Sequence, residues 1–130
     1  METDINYIEK KALLVEDNEM NIMLFSFLLK KIKINFDIAR DGEEAISKFN
    51  TTNYDIVLTD IHLPKIEGDE LAKIIRKSSD TAKAKTPIIA LTASILTSET
   101  DAYLACGINY VLLKPFTEEK FKAVLKQYLQ

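Results

Sequence analysis

Five short apolar runs separated by helical stretches constrain this chain more than any other feature. The runs are Ala12–Val15, Phe36–Ala39, Ile56–Thr59, Ile88–Thr92 and Tyr110–Leu113. All are too short for helices, and their β-branched content suits strands. Several lack period-2 alternation, as expected of strands covered on both faces of a parallel sheet. The intervening stretches carry helical stripes. The first spans about Asn18 to Lys33, with Leu24, Phe25, Leu28, Leu29 and Ile32 as its apolar face. The second follows Asp41-Gly42 and runs from about Glu43 to Asn50; the third runs from Gly68 to Lys77 with Leu71, Ile74 and Ile75. The fourth, about Ser98 to Ala105, is stopped by Gly107, and the last opens at Thr117 and runs to Leu129. Five strand–helix units predict an α/β sandwich around a parallel sheet.

Ligands of such sheets sit beyond the carboxyl ends of the strands, where strand order reverses. The residues at those ends are therefore the ones to read. The first run stops at two adjacent carboxylates, Glu16 and Asp17, in LLVEDNEMN. Asp60 closes the third in IVLTDIHLP, Thr92 the fourth in IIALTAS, and Lys114 follows the fifth in YVLLKPF. Three carboxylates on one sheet edge repel and push up at least one pKa unless a cation joins them. Hard oxygen ligands of this kind suit Mg²⁺, which takes one or two protein carboxylates and keeps several waters. Lys114 supplies the remaining positive charge and competes for a carboxylate or a phosphoryl oxygen.

The whole composition fits one globular domain. At 130 residues the chain can bury a core without disulfides, and its single cysteine, Cys106, has no partner within the chain. A net charge of −3 with no basic patch argues against nucleic acid as a partner. The opening METDINYIEKK has no apolar stretch suited to a signal peptide, and no run approaches the ~20 residues that span a bilayer. The expectation is a soluble cytoplasmic domain without membrane or nucleic-acid contacts.

The stretches VEDN, TDIHLP with Gly68 beyond it, LTAS and KPF resemble the receiver (response regulator) domains of two-component and phosphorelay signalling. The resemblance covers Lys11 to Gln130 and leaves residues 1–10 as an N-terminal extension. VEDNEMN is most similar to receivers associated with hybrid histidine kinases. The resemblance implies a flavodoxin-like (βα)5 sandwich with strand order 2-1-3-4-5. It implies that Asp60 is the phosphoacceptor, taking a phosphoryl group from a phosphohistidine to form an aspartyl phosphate. Mg²⁺ would be held by Asp17 and Asp60 directly, by Glu16 through water and by the backbone carbonyl of His62. The Lys114 ammonium, the Thr92 hydroxyl and the Ala93 backbone N–H would hold phosphoryl oxygens, and Lys114-Pro115 would be a cis peptide. Such a domain is a signalling phosphoacceptor that catalyses its own phosphorylation and dephosphorylation. Its partner would be a histidine kinase or histidine phosphotransfer protein, with a homodimer also allowed. Two positions depart from the family pattern. Val111 stands where many receivers have an aromatic switch residue, with Tyr110 one place earlier, and His62 flanks the route to the phosphoryl group.

Three rival readings have distinguishable signatures. A flavin carrier of this fold needs a hydroxyl- and glycine-rich phosphate loop after the first strand, where Glu16-Asp17 would repel a phosphate. An aspartyl phosphatase reads D-x-D there, and this chain reads E-D-N. A receiver-like interaction module that is never phosphorylated would not need the acidic pair, Asp60, Thr92 and Lys114 together. Phe25, Phe49, Phe116, Phe121 and Cys106 read as core. On the first helix, Ile22, Met23 and Phe27 are expected to point away from the sheet as a docking surface beside the site.

Overall fold

Residues Ala12 to Val15 have no exposed surface, so the first strand is covered on both sides. The computed structural model describes residue 7, residues 9–92 and residues 97–129. Its strands are β1 (Lys11–Val15), β2 (Asn35–Ala39), β3 (Ile56–Asp60), β4 (Ile88–Thr92) and β5 (Tyr110–Leu113). They form one parallel sheet in the order β2-β1-β3-β4-β5. The helices are α1 (Glu19–Lys31), α2 (Gly42–Thr51), α3 (Gly68–Arg76), α4 (Thr81–Ala84), α5 (Thr97–Ala105) and α6 (Glu118–Leu129). Ala12 and Leu14 pack with Phe25 and Leu29 of α1 and Phe121 and Leu125 of α6. Leu13 and Val15 face the other way, against Ala45 and Phe49 of α2 and Leu71 and Ile75 of α3. The result is three layers with strand order reversing at β1, as the motifs implied.

Register sets up the site. Val15 pairs with Ala39 and Thr59, Asp60 with Leu91, and Thr92 with Leu113, so the carboxyl ends of the strands are level. Whatever follows each strand emerges on the same edge. Asn18 caps α1 by accepting the Asn21 N–H at 3.0 Å, and Asp41 caps α2 by accepting the Glu44 N–H at 2.8 Å.

The structure departs from the sequence reading in several places. Phe116 and Cys106, read as core, are only partly buried, and Ile74, placed on the apolar face of the third helix, is exposed because that face is wider than the sheet it covers. Residues 81–84 form α4, a single turn whose four-residue length carries no periodic signal. Asp80 starts it by accepting the N–H groups of Ala82 and Lys83. On α1, Ile22 is buried and Leu24 is half-exposed, the reverse of expectation. The helix is apolar around most of its circumference, so periodicity alone cannot choose which stripe meets the sheet. Packing selects Ile22, Phe25, Leu28, Leu29 and Ile32.

Candidate functional site

Glu16 is fully buried and Asp17, the next residue, is exposed. This follows from the pleat: the Glu16 N–H bonds Ala39 O at 3.0 Å, continuing the β1–β2 ladder, and the chain turns outward after it. One oxygen of Glu16, Oε2, accepts the Asn18 N–H at 3.2 Å. The other, Oε1, is buried without a hydrogen-bond partner and lies 3.6 Å from the Lys114 ammonium. Burial holds the Glu16 carboxyl above its ordinary range, and the nearby Asp60 carboxylate adds to this. The Asn18 N–H, the Lys114 charge and the Asn21 carboxamide pull the other way.

Asp60 ends β3 half-buried, and its Oδ1 accepts the N–H of His62 at 3.2 Å. Oxygens of Glu16, Asp17 and Asp60 lie within 4.8 Å of one another. Oxygens on opposite sides of Mg²⁺ are about 4 Å apart, given metal–oxygen distances of 2.0–2.1 Å. The cluster is thus of the right size, and the orphaned Oε1 is a buried acceptor with no proton donor assigned. The donor set fits the ion.

The loop after Asp60 is pinned by Gly68. A Cβ there would stand 2.4 Å from Asp60 O and 2.9 Å from Ile61 Cα, and the Gly68 N–H bonds Ile61 O at 2.8 Å. Only a glycine lets the first turn of α3 press so closely on the end of β3.

Lys114 is placed by β5, its N–H bonding Thr92 O at 2.8 Å, and Lys114-Pro115 is cis, as expected. Its side chain is only 18% exposed and its ammonium sits 5.3 Å above the Phe25 ring. Phe25 in turn stacks on Phe116 and Phe121 at 5.9 and 6.3 Å. Phe25 was legible as core; that it also carries the lysine was not. Thr92 is buried at the end of β4. Ala93 lies outside the described residues. The His62 side chain is 70% exposed and its Nδ1 lies 3.8 Å from Glu67 Oε1, at the start of α3. Val111 packs on the α2–α3 side of the sheet, whereas Tyr110 packs on the α1–α6 side under the Lys120 ammonium. Tyr110 therefore cannot stand in for an aromatic at Val111.

Residues 12–126 match the sequence profile of the response regulator receiver domain. The chain belongs to that family. The receiver domain is 38% identical over 92% of its length to the autoinducer 2 sensor kinase/phosphatase LuxQ of Vibrio harveyi. It is 32% identical over 98% of its length to histidine kinase 5 of Arabidopsis thaliana. It spans only 14% and 17% of those two proteins. In structure it resembles the receiver domain of a sensor histidine kinase from Pseudomonas aeruginosa PAO1, with a TM-score of 0.84 and 30% identity. That match covers 92% of this chain and 97% of the other, which carries a magnesium ion in its active-site cleft. The fold and the family expected from the four motifs both hold.

Proposed function

We propose that this receiver domain accepts a phosphoryl group from a phosphohistidine onto Asp60. The observation that carries the reading is the buried Glu16 Oε1, which accepts no hydrogen bond and is set among the carboxylates of Asp17 and Asp60 and the Lys114 ammonium. Mg²⁺, once bound by Asp17, Asp60, the His62 backbone carbonyl and, through water, Glu16, supplies charge neutralisation for in-line transfer. An Asp60 carboxylate oxygen forms the new O–P bond as the N–P bond to the histidine breaks, its electron pair leaving with the imidazole. Lys114 neutralises one phosphoryl oxygen, and the Thr92 hydroxyl and Ala93 N–H hold another. Water attack on the same phosphorus returns the free carboxylate, so the domain completes the cycle itself. A non-phosphorylated interaction module would bury Glu16 and pair it with Lys114 to no purpose.

The partner proposed is a histidine kinase or a histidine phosphotransfer protein, docking on α1. Met20, Met23, Leu24 and Phe27 are 50–79% exposed on this helix, adjoining the end that carries Asp17. Tyr7, in the extension of residues 1–10, bonds Ile32 O at the opposite end of α1, about 18 Å from Met20 at 1.5 Å per residue. Among the described residues no helix is long and apolar enough to cross a membrane; the placement proposed for the domain is cytoplasmic, on the side of a membrane where a histidine kinase keeps its phosphohistidine.

Incubation with a small acyl phosphate and Mg²⁺ should add one phosphoryl mass that is labile to hydroxylamine. Asp60→Asn should abolish it. Equal labelling of the variant would remove Asp60 as the acceptor.

A further inference from the structure

We infer that Phe25 is a positioning residue for the reaction: its ring is the seat that holds the Lys114 ammonium where a phosphoryl oxygen would meet it. The inference rests on the reading of Asp60 as the phosphoacceptor with Lys114 beside it. Phe25 lies in the middle of α1, fully buried in the core between that helix and the sheet. The Lys114 side chain reaches over it. Its ammonium stands 5.3 Å from the centroid of the ring, over the face, and 3.6 Å from Glu16 Oε1. The second distance is too long for a hydrogen bond, so Glu16 attracts the ammonium without fixing its direction. An ammonium within about 6 Å of an aromatic face is drawn to the negative side of the ring quadrupole, more strongly where water is excluded. The Lys114 side chain is largely buried, which favours the contact.

The same ring also steadies the backbone that delivers the lysine. Phe116, two residues after Lys114, stacks on Phe25 with centroids 5.9 Å apart and planes at 11°. Phe121 of α6 stacks on both, at 6.3 Å from Phe25 and 5.8 Å from Phe116. The Lys114 N–H is tied to Thr92 O at 2.8 Å. Lys114 is thus held by β4 at its backbone, by the stacked rings just after it, and by Phe25 at its tip.

Residue chemistry explains a ring at this position. A carboxylate would neutralise the ammonium and compete with the phosphoryl group for its N–H donors. A leucine would fill the core but leave a largely buried ammonium facing hydrocarbon. An aromatic face attracts the charge without neutralising it and takes no N–H in a directed bond. The lysine stays charged and in place.

The rate at which a small acyl phosphate labels Asp60 at saturating Mg²⁺ tests this. Phe25→Leu should be labelled about fivefold more slowly than the parent, with Mg²⁺ affinity unchanged. In a Lys114→Ala background the same change should have little further effect, because the lysine it serves is gone. Lys114→Ala labelled at the parent rate would overturn the reading of the site itself. If Lys114→Ala is slow but Phe25→Leu matches the parent, or slows the reaction equally with and without Lys114, the role of Phe25 falls and the site stands. A replacement that keeps the packing covers a Phe25→Leu protein that does not fold. Trifluorophenylalanine in place of Phe25 keeps the ring and withdraws its π-electron density, and should slow labelling about threefold. Labelling of that protein at the parent rate would overturn the inference. A readout independent of the reaction is the Lys114 ε-methylene proton resonance, which should lie upfield of those of exposed lysines because the ring current shields a group over its face. A resonance at the exposed-lysine position would overturn the inference whatever the rates.

Discussion

Asp37 and Tyr54 form a polar contact far from the site. Asp37 is a charged residue on edge strand β2, and its Oδ2 accepts the Tyr54 hydroxyl at 2.7 Å and lies 3.2 Å from the Lys11 ammonium. The Tyr54 hydrogen bond, foremost, and then Lys11 hold the Asp37 carboxyl below its ordinary range. A carboxyl depressed in the folded state adds stability above its unfolded value of about 3.9, and that stability is lost as pH falls through the folded value. The Asp37 side chain is 34% exposed, so solvent screening keeps the contribution below about 1 kcal/mol. Tyr54→Phe should therefore be less stable than the parent near neutral pH, and the gap should narrow as pH is lowered from about 5 toward 2. Urea unfolding across that range measures it. A gap independent of pH would mean that the hydroxyl acts without Asp37. Burial of the Tyr54 phenol and then its hydrogen bond to Asp37 push it well above its usual range, so Tyr54 stays protonated through this titration.

At the scale of elements, α1 was the hardest to read. All five strands were legible to within one residue at either end, because short β-branched runs have no other use in a chain this size. The carboxylates and Lys114 were legible for a related reason: parallel register levels the strand ends, so sequence position at a strand end becomes position on one edge. Leu24 and Ile22 were exchanged because α1 offers two apolar stripes, and only the packed structure shows which one the sheet covers. The exposed stripe is the consequence. Met20, Met23, Leu24 and Phe27 are half or more exposed, and only the Lys31 ammonium, 5.3 Å over the Phe27 ring, is seen against that ring among the described residues. Helix-on-helix packing against the donor protein would bury this stripe and bring its phosphohistidine to the end of α1 where Asp17 and Asp60 lie. Phe27→Glu should slow phosphotransfer from a cognate histidine protein at least tenfold, a loss of about 1.4 kcal/mol that one truncated interface anchor readily gives. Labelling by a small acyl phosphate should stay near the parent rate. Equal loss of both reactions would place the defect in the fold and end the docking reading.

Across the whole molecule, the carboxylates and Lys114 collect at the carboxyl ends of the strands and a structural clamp sits at the other. Arg76, at the end of α3, donates from Nη1 to Ala84 O at 2.9 Å and Thr86 O at 2.7 Å. Its Nε and Nη2 both reach Gly107 O, at 3.0 and 2.6 Å, and Nη2 also reaches Asn109 Oδ1 at 2.7 Å. Asn109 Oδ1 accepts the Ile88 N–H as well, at 2.8 Å. One guanidinium thus ties α3 to the segments that lead into β4 and β5. Gly107 has a φ of 109°, and a Cβ there would stand 2.5 Å from Arg76 Cγ, so the turn after α5 is shaped around the arginine. The guanidinium fork supplies several donors in one plane, which a lysine ammonium cannot reproduce. Removing it strands several partly buried carbonyls; hydrogen bonds to a charged group contribute about 1.5–3 kcal/mol each, but water reaches a half-exposed site and replaces some of them. A net loss of about 3 kcal/mol is expected for Arg76→Ala, and most of that loss for Arg76→Lys. For a domain of this size it corresponds to a melting temperature lower by roughly 10 °C. Acyl-phosphate labelling at a temperature where the variant is still folded should match the parent, since Arg76 touches neither Asp60 nor its loop. Arg76→Lys melting within about two degrees of the parent would show that charge alone, and not the fork, holds this end of the sheet.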